Sequence, residues 1–150
     1  MNLEQNLFLK RMQVYAPSIV RIAVSFVFLW FGVNQLFFPN DFMGYLPAWT
    51  MQDQMGMEHM LHTTVVMMHA TPSGLLIMNG LLEIVLGVLL LLGVFTRISA
   101  LLLGLHLLGI TLTLGYNEIA IRDFGLSFAT LSIFFQGPDK LCWDVWRKKE

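Results

Sequence analysis

The sequence predicts an all-α integral membrane protein, a bundle of four transmembrane helices with an external loop or short amphipathic helix between the first two. Three observations predict it. Hydrophobic residues make up 56% of the 150 and charged residues only 13%, with a mean hydropathy of +0.66, too little polar material to coat a globule in water. Four apolar runs approach the roughly 20 residues that cross a bilayer at ~1.5 Å rise each. The few basic residues gather at the edges of those runs, where they act as topology signals. A formal charge of -1 gives no reason to expect a nucleic-acid partner.

The elements run in order as one membrane domain over 1–150. The first span, 18–38, comes after a mixed-polarity lead with no small-x-small cleavage site, so it is expected to be retained and not removed as a signal. The external loop, 39–71, begins with Pro39, and Pro47 further limits helix there. Tyr45, Pro47 and Trp49 read as an interfacial anchor, with a covering helix starting near Thr50 or Met51. The second, third and fourth spans fall at 74–94, 98–116 and 119–135, with a tail at 137–150. Lys10, Arg11 and Arg21 flank the first span, Arg97 separates the second and third, and Lys140, Arg147, Lys148 and Lys149 come after the fourth; the other two connections hold only Arg122. Both termini are therefore expected in the cytoplasm and the 39–71 loop outside. Arg21 and Arg97 are expected to snorkel to headgroups as anchors. Cys142 is the only cysteine, which excludes an intramolecular disulfide or a CxxC redox pair.

Glu83 is the only charged residue between 72 and 95. An acid at a bilayer centre costs roughly 2.5 to 3.5 kcal/mol on insertion scales, so it is expected to face other helices and a partner. Asn79, one turn away, shares its helix face, and Gly80 and Gly87 leave room for close approach. Counting depth along each span puts Asn34, Gln35, Asn79, Thr113, Arg122 and Asp123 in one outer polar layer, with Glu83 a turn deeper. The expected pairings are Arg122 with Glu83 in a guanidinium-carboxylate fork, and Asp123 with Gln35 or Asn34, or as a cap at the start of the fourth helix. His106, near the middle of the third span, reads either as a proton relay to Glu83 or as a neutral histidine hydrogen-bonded to a neighbour. No other span contains a histidine, so a bis-histidine haem is not expected. The layer itself reads equally as polar glue between helices or as a substrate or proton site.

Seven of ten methionines and three of four histidines lie between Met43 and His69. In helical register Met51, Met55, His59 and His62 share a face, a donor set that suits Cu(I). An amphipathic helix covering the bundle looks the same, and no fixed ligand motif such as HExxH occurs, so the loop is read first as a lid.

An arginine opening the first span, FGVNQLFFP closing it, NGLLEIVLGVLLLLGVFTR through the second, RDFGL opening the fourth and a late GPDKLCWD occur in that order. Together they resemble the DoxX family of four-helix membrane proteins, over 21–144. The resemblance implies a small inner-membrane bundle of a prokaryote, often a partner subunit, with relatives tied to thiosulfate:quinone oxidoreduction and thiol redox balance. It supports Arg21, Glu83, Arg97 and Asp123 as pattern positions, and departs at Gln35, where a lysine is common in the family.

Three functions fit these residues. The first is a redox-associated subunit binding a quinone or small apolar molecule, with Glu83 as proton acceptor, Arg122, Asp123 and His106 beside it, and Asn34, Gln35, Asn79, Trp30 and Phe31 shaping the ligand site. No cofactor is expected to be carried by the chain itself. The second is a structural or assembly subunit; the third is a transporter or metal-handling protein using Met51, Met55, His59 and His62 for copper. The expected partners are the bilayer, a soluble or membrane redox subunit, or a second copy of the chain.

Overall fold

The computed structural model describes residues 12–46 and 71–147, and these are helical without strands. Among the described residues there are four long helices: α1 (Ala16–Phe37), α2 (Pro72–Leu92), α3 (Thr96–Leu114) and α4 (Glu118–Gln136). A 3-10 segment (Pro39–Tyr45) comes after α1, and a single turn, α5 (Trp143–Trp146), lies near the end. Among the described residues α1, α2 and α3 are long and apolar enough to cross a membrane, so this is a multi-pass membrane protein. α4 matches α3 in length at 19 residues but is less apolar, since Glu118, Arg122 and Asp123 fall within it. The covering helix expected near Thr50 lies outside the described residues, as do Pro47 and Trp49 of the expected anchor.

Each long helix begins one or two residues before its expected span, because start signals set the first turn and hydropathy does not. Pro17 and Pro72 occupy first-turn positions, where a missing N–H removes no helical bond. The Thr71 hydroxyl accepts from the Gly74 amide at 3.1 Å, and the Asn117 side chain accepts from the Ala120 amide at 2.7 Å. α2 ends in a Schellman turn: Gly93 sits at φ 69°, its amide bonds the Leu90 carbonyl at 3.1 Å, and the Val94 amide bonds Leu89 at 2.9 Å. A Cβ on Gly93 would lie 2.5 Å from Cα of Cys142, so only glycine suits both the turn and the contact.

The closest pairings are α1 with α2 and α3 with α4. Lipid tails are as apolar as leucine, so helices in a bilayer gain most where small residues let backbones approach. Gly32 and Gly80 do this: a Cβ on either would lie 2.7 Å from the other's carbonyl oxygen. Val24, Phe28, Leu90, Ala100, Leu103, Leu107 and Ile133 form the buried core. Ile19, Phe26, Trp30 and Phe37 on α1, and Phe124, Phe128 and Phe135 on α4, are exposed, as a lipid-facing surface requires.

The end opposite the 39–46 segment is closed by the chain after α4. Arg21 is 1% exposed and does not snorkel. Its Nε donates to Asp139 at 2.7 Å, and Nη1 donates to the Leu90 carbonyl at 2.7 Å and to that of Leu91. Ser18 donates to the other Asp139 oxygen at 2.7 Å. One guanidinium thus answers the last-turn carbonyls of α2, where the helix dipole favours a cation, and the returning chain. Counting depth puts Arg21 at the membrane boundary but cannot show that residue 139 returns beside it. Arg97 is exposed.

α3 has no cap of its own, because its N-cap residue is Phe95, at φ 50°. Asp144 substitutes from 48 residues away, accepting from the Thr96 amide at 2.8 Å, the Phe95 amide at 3.0 Å and the Thr96 hydroxyl at 3.0 Å. The Asp144 amide in turn donates to Gly93 at 3.0 Å, and Cys142 is fully buried beneath that turn. GPDKLCWD is therefore a clasp joining the ends of three helices.

Gly80→Ala is expected to lower stability in detergent by about 1 to 3 kcal/mol through overpacking, while Gly125→Ala, whose Cβ meets nothing within 4 Å, is neutral or slightly stabilising; thermal unfolding of both variants checks this. Burial of Asp139 opposes its charge, but hydrogen bonds from Arg21, Ser18 and the Leu141 amide, with the Arg21 charge, hold its carboxyl below the ordinary value of 3.8. Burial likewise opposes the charge of Asp144, and the Thr96 and Phe95 bonds outweigh it in the same direction. A depressed folded-state value gives stability that is present above the ordinary value and lost as pH falls through the folded one. The melting temperature in detergent is therefore expected to drop below about pH 4, and to drop less in an Asp139→Asn, Asp144→Asn double variant.

Candidate functional site

At the other end of the bundle, α1 contributes Gln35, α2 contributes Asn79 and Glu83, α3 contributes His106 and Thr113, and α4 contributes Asp123 to one cavity of about 480 Å³. Phe28, Phe31, Phe42, Tyr45, Leu75 and Leu76 supply much of its apolar wall. The 3-10 segment closes part of this end. Phe42 is buried, with its ring centroid 6.1 Å from that of Phe31 and 5.5 Å from that of Tyr45. Tyr45, expected at the membrane interface, lines the cavity.

Asn79 is the hub of the polar groups. Its amide nitrogen donates to Gln35 Oε1 at 2.7 Å and to Glu83 Oε1 at 3.0 Å, and its oxygen meets His106 Nε2 at 2.5 Å. Gln35 Nε2 closes the ring by donating to Glu83 Oε2 at 3.3 Å. The i, i+4 spacing of Asn79 and Glu83 puts both on one face, and the Gly32–Gly80 contact brings α1 near enough for Gln35 to reach them. Glu83 is 3% exposed. In a medium without water, such polar groups satisfy one another or remain costly.

Four expected placements are corrected. Arg122 does not reach Glu83: its side chain is 51% exposed, its Nε bonds the adjacent Asp123 at 2.9 Å, and its guanidinium lies 5.2 Å from the Phe31 ring centroid. The flexible arm bends back to its neighbour and pairs with it, although adjacent helical residues point in directions about 100° apart. Asp123 accordingly pairs with Arg122 and not with Gln35 or Asn34, and the cap of α4 is Asn117. Asn34 bonds the Trp30 carbonyl of its own helix at 2.7 Å and stays outside the cavity. Trp30 is 59% exposed, so Phe31 alone of that pair lines the wall. His106 touches Asn79 and not Glu83, the arrangement of a histidine satisfied by a neighbouring side chain.

Met51, Met55, His59 and His62 lie outside the described residues. Among the described residues no three His, Cys, Asp or Glu side chains gather as metal ligands.

The polar cluster is built from motifs the sequence carries in order, and the DoxX family model matches residues 16–115, the whole of α1, α2 and α3. The chain belongs to the DoxX family. This match takes in Gln35, Asn79, Glu83 and His106 of the cavity; α4 and the clasp lie beyond it. Comparison with curated proteins and with solved structures gave no match. At position 35, where the resemblance implies a lysine that could face Asp123, this DoxX protein has a glutamine whose amide turns to Glu83.

Asn79→Ala removes the hub and leaves Gln35, Glu83 and His106 short of partners, so it is expected to cost about 2 kcal/mol or more. Asn34→Ala, which loses only a bond within its own helix, is expected to stay within about 0.5 kcal/mol of the parent. Unfolding of the two variants under identical detergent conditions compares them directly.

Proposed function

We propose that this DoxX protein is a redox-associated membrane subunit that binds a quinone or another small apolar molecule with a polar head. It sits in the prokaryotic inner membrane with both termini cytoplasmic, the orientation its basic residues favour. The supporting observation is the cavity: about 480 Å³, largely apolar in its walls, with polar side chains from four helices converging at one place. That is the composition and size range of small-molecule sites. Leu105 belongs both to the cavity wall and to the exposed surface of α3, and in this reading an apolar molecule enters from the bilayer on that side.

Reduction of a quinone places protons on its two oxygens, and a carboxylate and an imidazole within one cavity are groups able to exchange them. In this reading Glu83 is the proton-exchanging group, the Asn79 amide orients its carboxylate, and the apolar wall excludes water from the ring. Electrons for that reduction come from a partner subunit, since a single cysteine offers no dithiol couple. A structural role is the second reading, favoured by one observation: Gln35, Asn79, Glu83 and His106 already bond one another across three helices, as groups that fix registry do.

Titration of the purified protein with a short-chain benzoquinone, monitored by intrinsic fluorescence, is expected to show saturable binding. Leu75→Trp, which fills the wall, should abolish binding while leaving the melting temperature near the parent. Absence of saturation in the parent protein would favour the structural reading.

A further inference from the structure

The cavity holds two carboxylates, and among the described residues only one has a cation. Asp123 has Arg122. Glu83 is held by two neutral amides, those of Gln35 and Asn79, and no Lys, Arg or His among the described residues forms an ion pair with it. His106 directs its Nε2 to Asn79. The stretch 47–70 contains neither lysine nor arginine, so it holds no permanent cation for Glu83. A buried carboxylate that borders an open cavity without a counter-ion gains from any cation that leaves water easily.

The wall selects which cation. Strongly hydrated metal ions demand several oxygen ligands, and this wall is mainly aromatic and aliphatic. Aromatic faces attract ammonium groups whose charge is spread and weakly hydrated. Phe31 already carries one cation, the Arg122 guanidinium at 5.2 Å, from a side chain that does not itself line the cavity. We propose that the cavity takes an apolar organic cation, an ammonium on an aromatic or branched hydrocarbon body, with Glu83 as its counter-charge and Phe28, Phe31 and Phe42 around it. This rests on the reading that the cavity binds a small apolar molecule, and it narrows the chemical class of that molecule.

A proton and the cation compete for the same carboxylate, so binding weakens as pH falls. The other ionisable groups at the cavity are His106 from α3, Asp123 with its partner Arg122 from α4, and Tyr45 from the 3-10 segment; α1 presents only the neutral Gln35 there.

The test uses the full-length protein in neutral detergent micelles and three probes: benzyltrimethylammonium, its uncharged isostere neopentylbenzene, and a short-chain benzoquinone. Calorimetric titration is expected to show the cation binding about tenfold or more tightly than the isostere. Glu83→Gln should abolish that preference by bringing the cation's affinity down to that of the isostere, with its melting temperature reporting whether it is folded. Equal affinity of cation and isostere for the parent protein would falsify this inference while leaving the cavity a ligand site. Failure of all three probes to bind would remove both readings. The parent protein's cation-to-isostere ratio decides the matter even where Glu83→Gln does not fold.

Discussion

Between helices that face lipid a buried polar group depends on partners within the protein, and that constraint organises both ends of the molecule. Among lipid-facing helices a buried amide, hydroxyl or charge is costly unless another side chain or a helix terminus meets it. Apart from buried hydroxyls such as Ser25, Thr111, Ser127 and Thr130, which bond carbonyls of their own helices, the polar side chains that meet between helices gather in two sets. Arg21, Ser18, Asp139 and Asp144 gather at one end, and Gln35, Asn79, Glu83, His106 and Asp123 at the other. Between them lies the apolar core around Phe28, Leu90 and Leu103.

The two sets resolve the constraint differently. At the clasp, a full positive charge meets a full negative charge and two helix-terminal carbonyls, and a second carboxylate caps a helix that begins on Phe95. These groups are consumed in holding the ends of α1, α2 and α3 together. At the cavity, neutral amides surround Glu83 while the one nearby arginine stays on the exposed side with Asp123. In the first set one carboxylate meets a guanidinium and the other the amides that open a helix, whereas among the described residues Glu83 meets only side-chain amides beside a cavity, which is why the structural role falls to one and the functional proposal to the other. At the cavity the Gly32–Gly80 contact sets the spacing at which Gln35 can reach α2.

Much of the fold and part of the site were legible in the chain. Glu83 in an uncharged stretch, Asn79 one turn before it and Gly80 beside them are relations along a single helix, and helical periodicity carries them directly into space. The same reasoning misplaces Arg122, because a long side chain can turn to its immediate neighbour as readily as to another helix. It misplaces Asn34 and Trp30 because depth along α1 says nothing of rotation about its axis: Gln35 and Phe31 line the cavity, and their neighbours do not. The clasp has a weaker signal, two aspartates five residues apart after a Gly-Pro stop and a helix start with no capping side chain before it. Neither points to its partner without knowing where the chain returns.

Composition and local period were enough to establish an all-helical membrane bundle, the order and approximate limits of its helices, and the buried acid with its amide neighbour. Which charges meet was settled only in three dimensions. Arg21 went to Asp139, Arg122 to Asp123, and Glu83 was left to two amides. Helix formation depends on residues a few positions apart, whereas the pairing of charges depends on helix rotation, side-chain reach and loop return, which distant residues fix together.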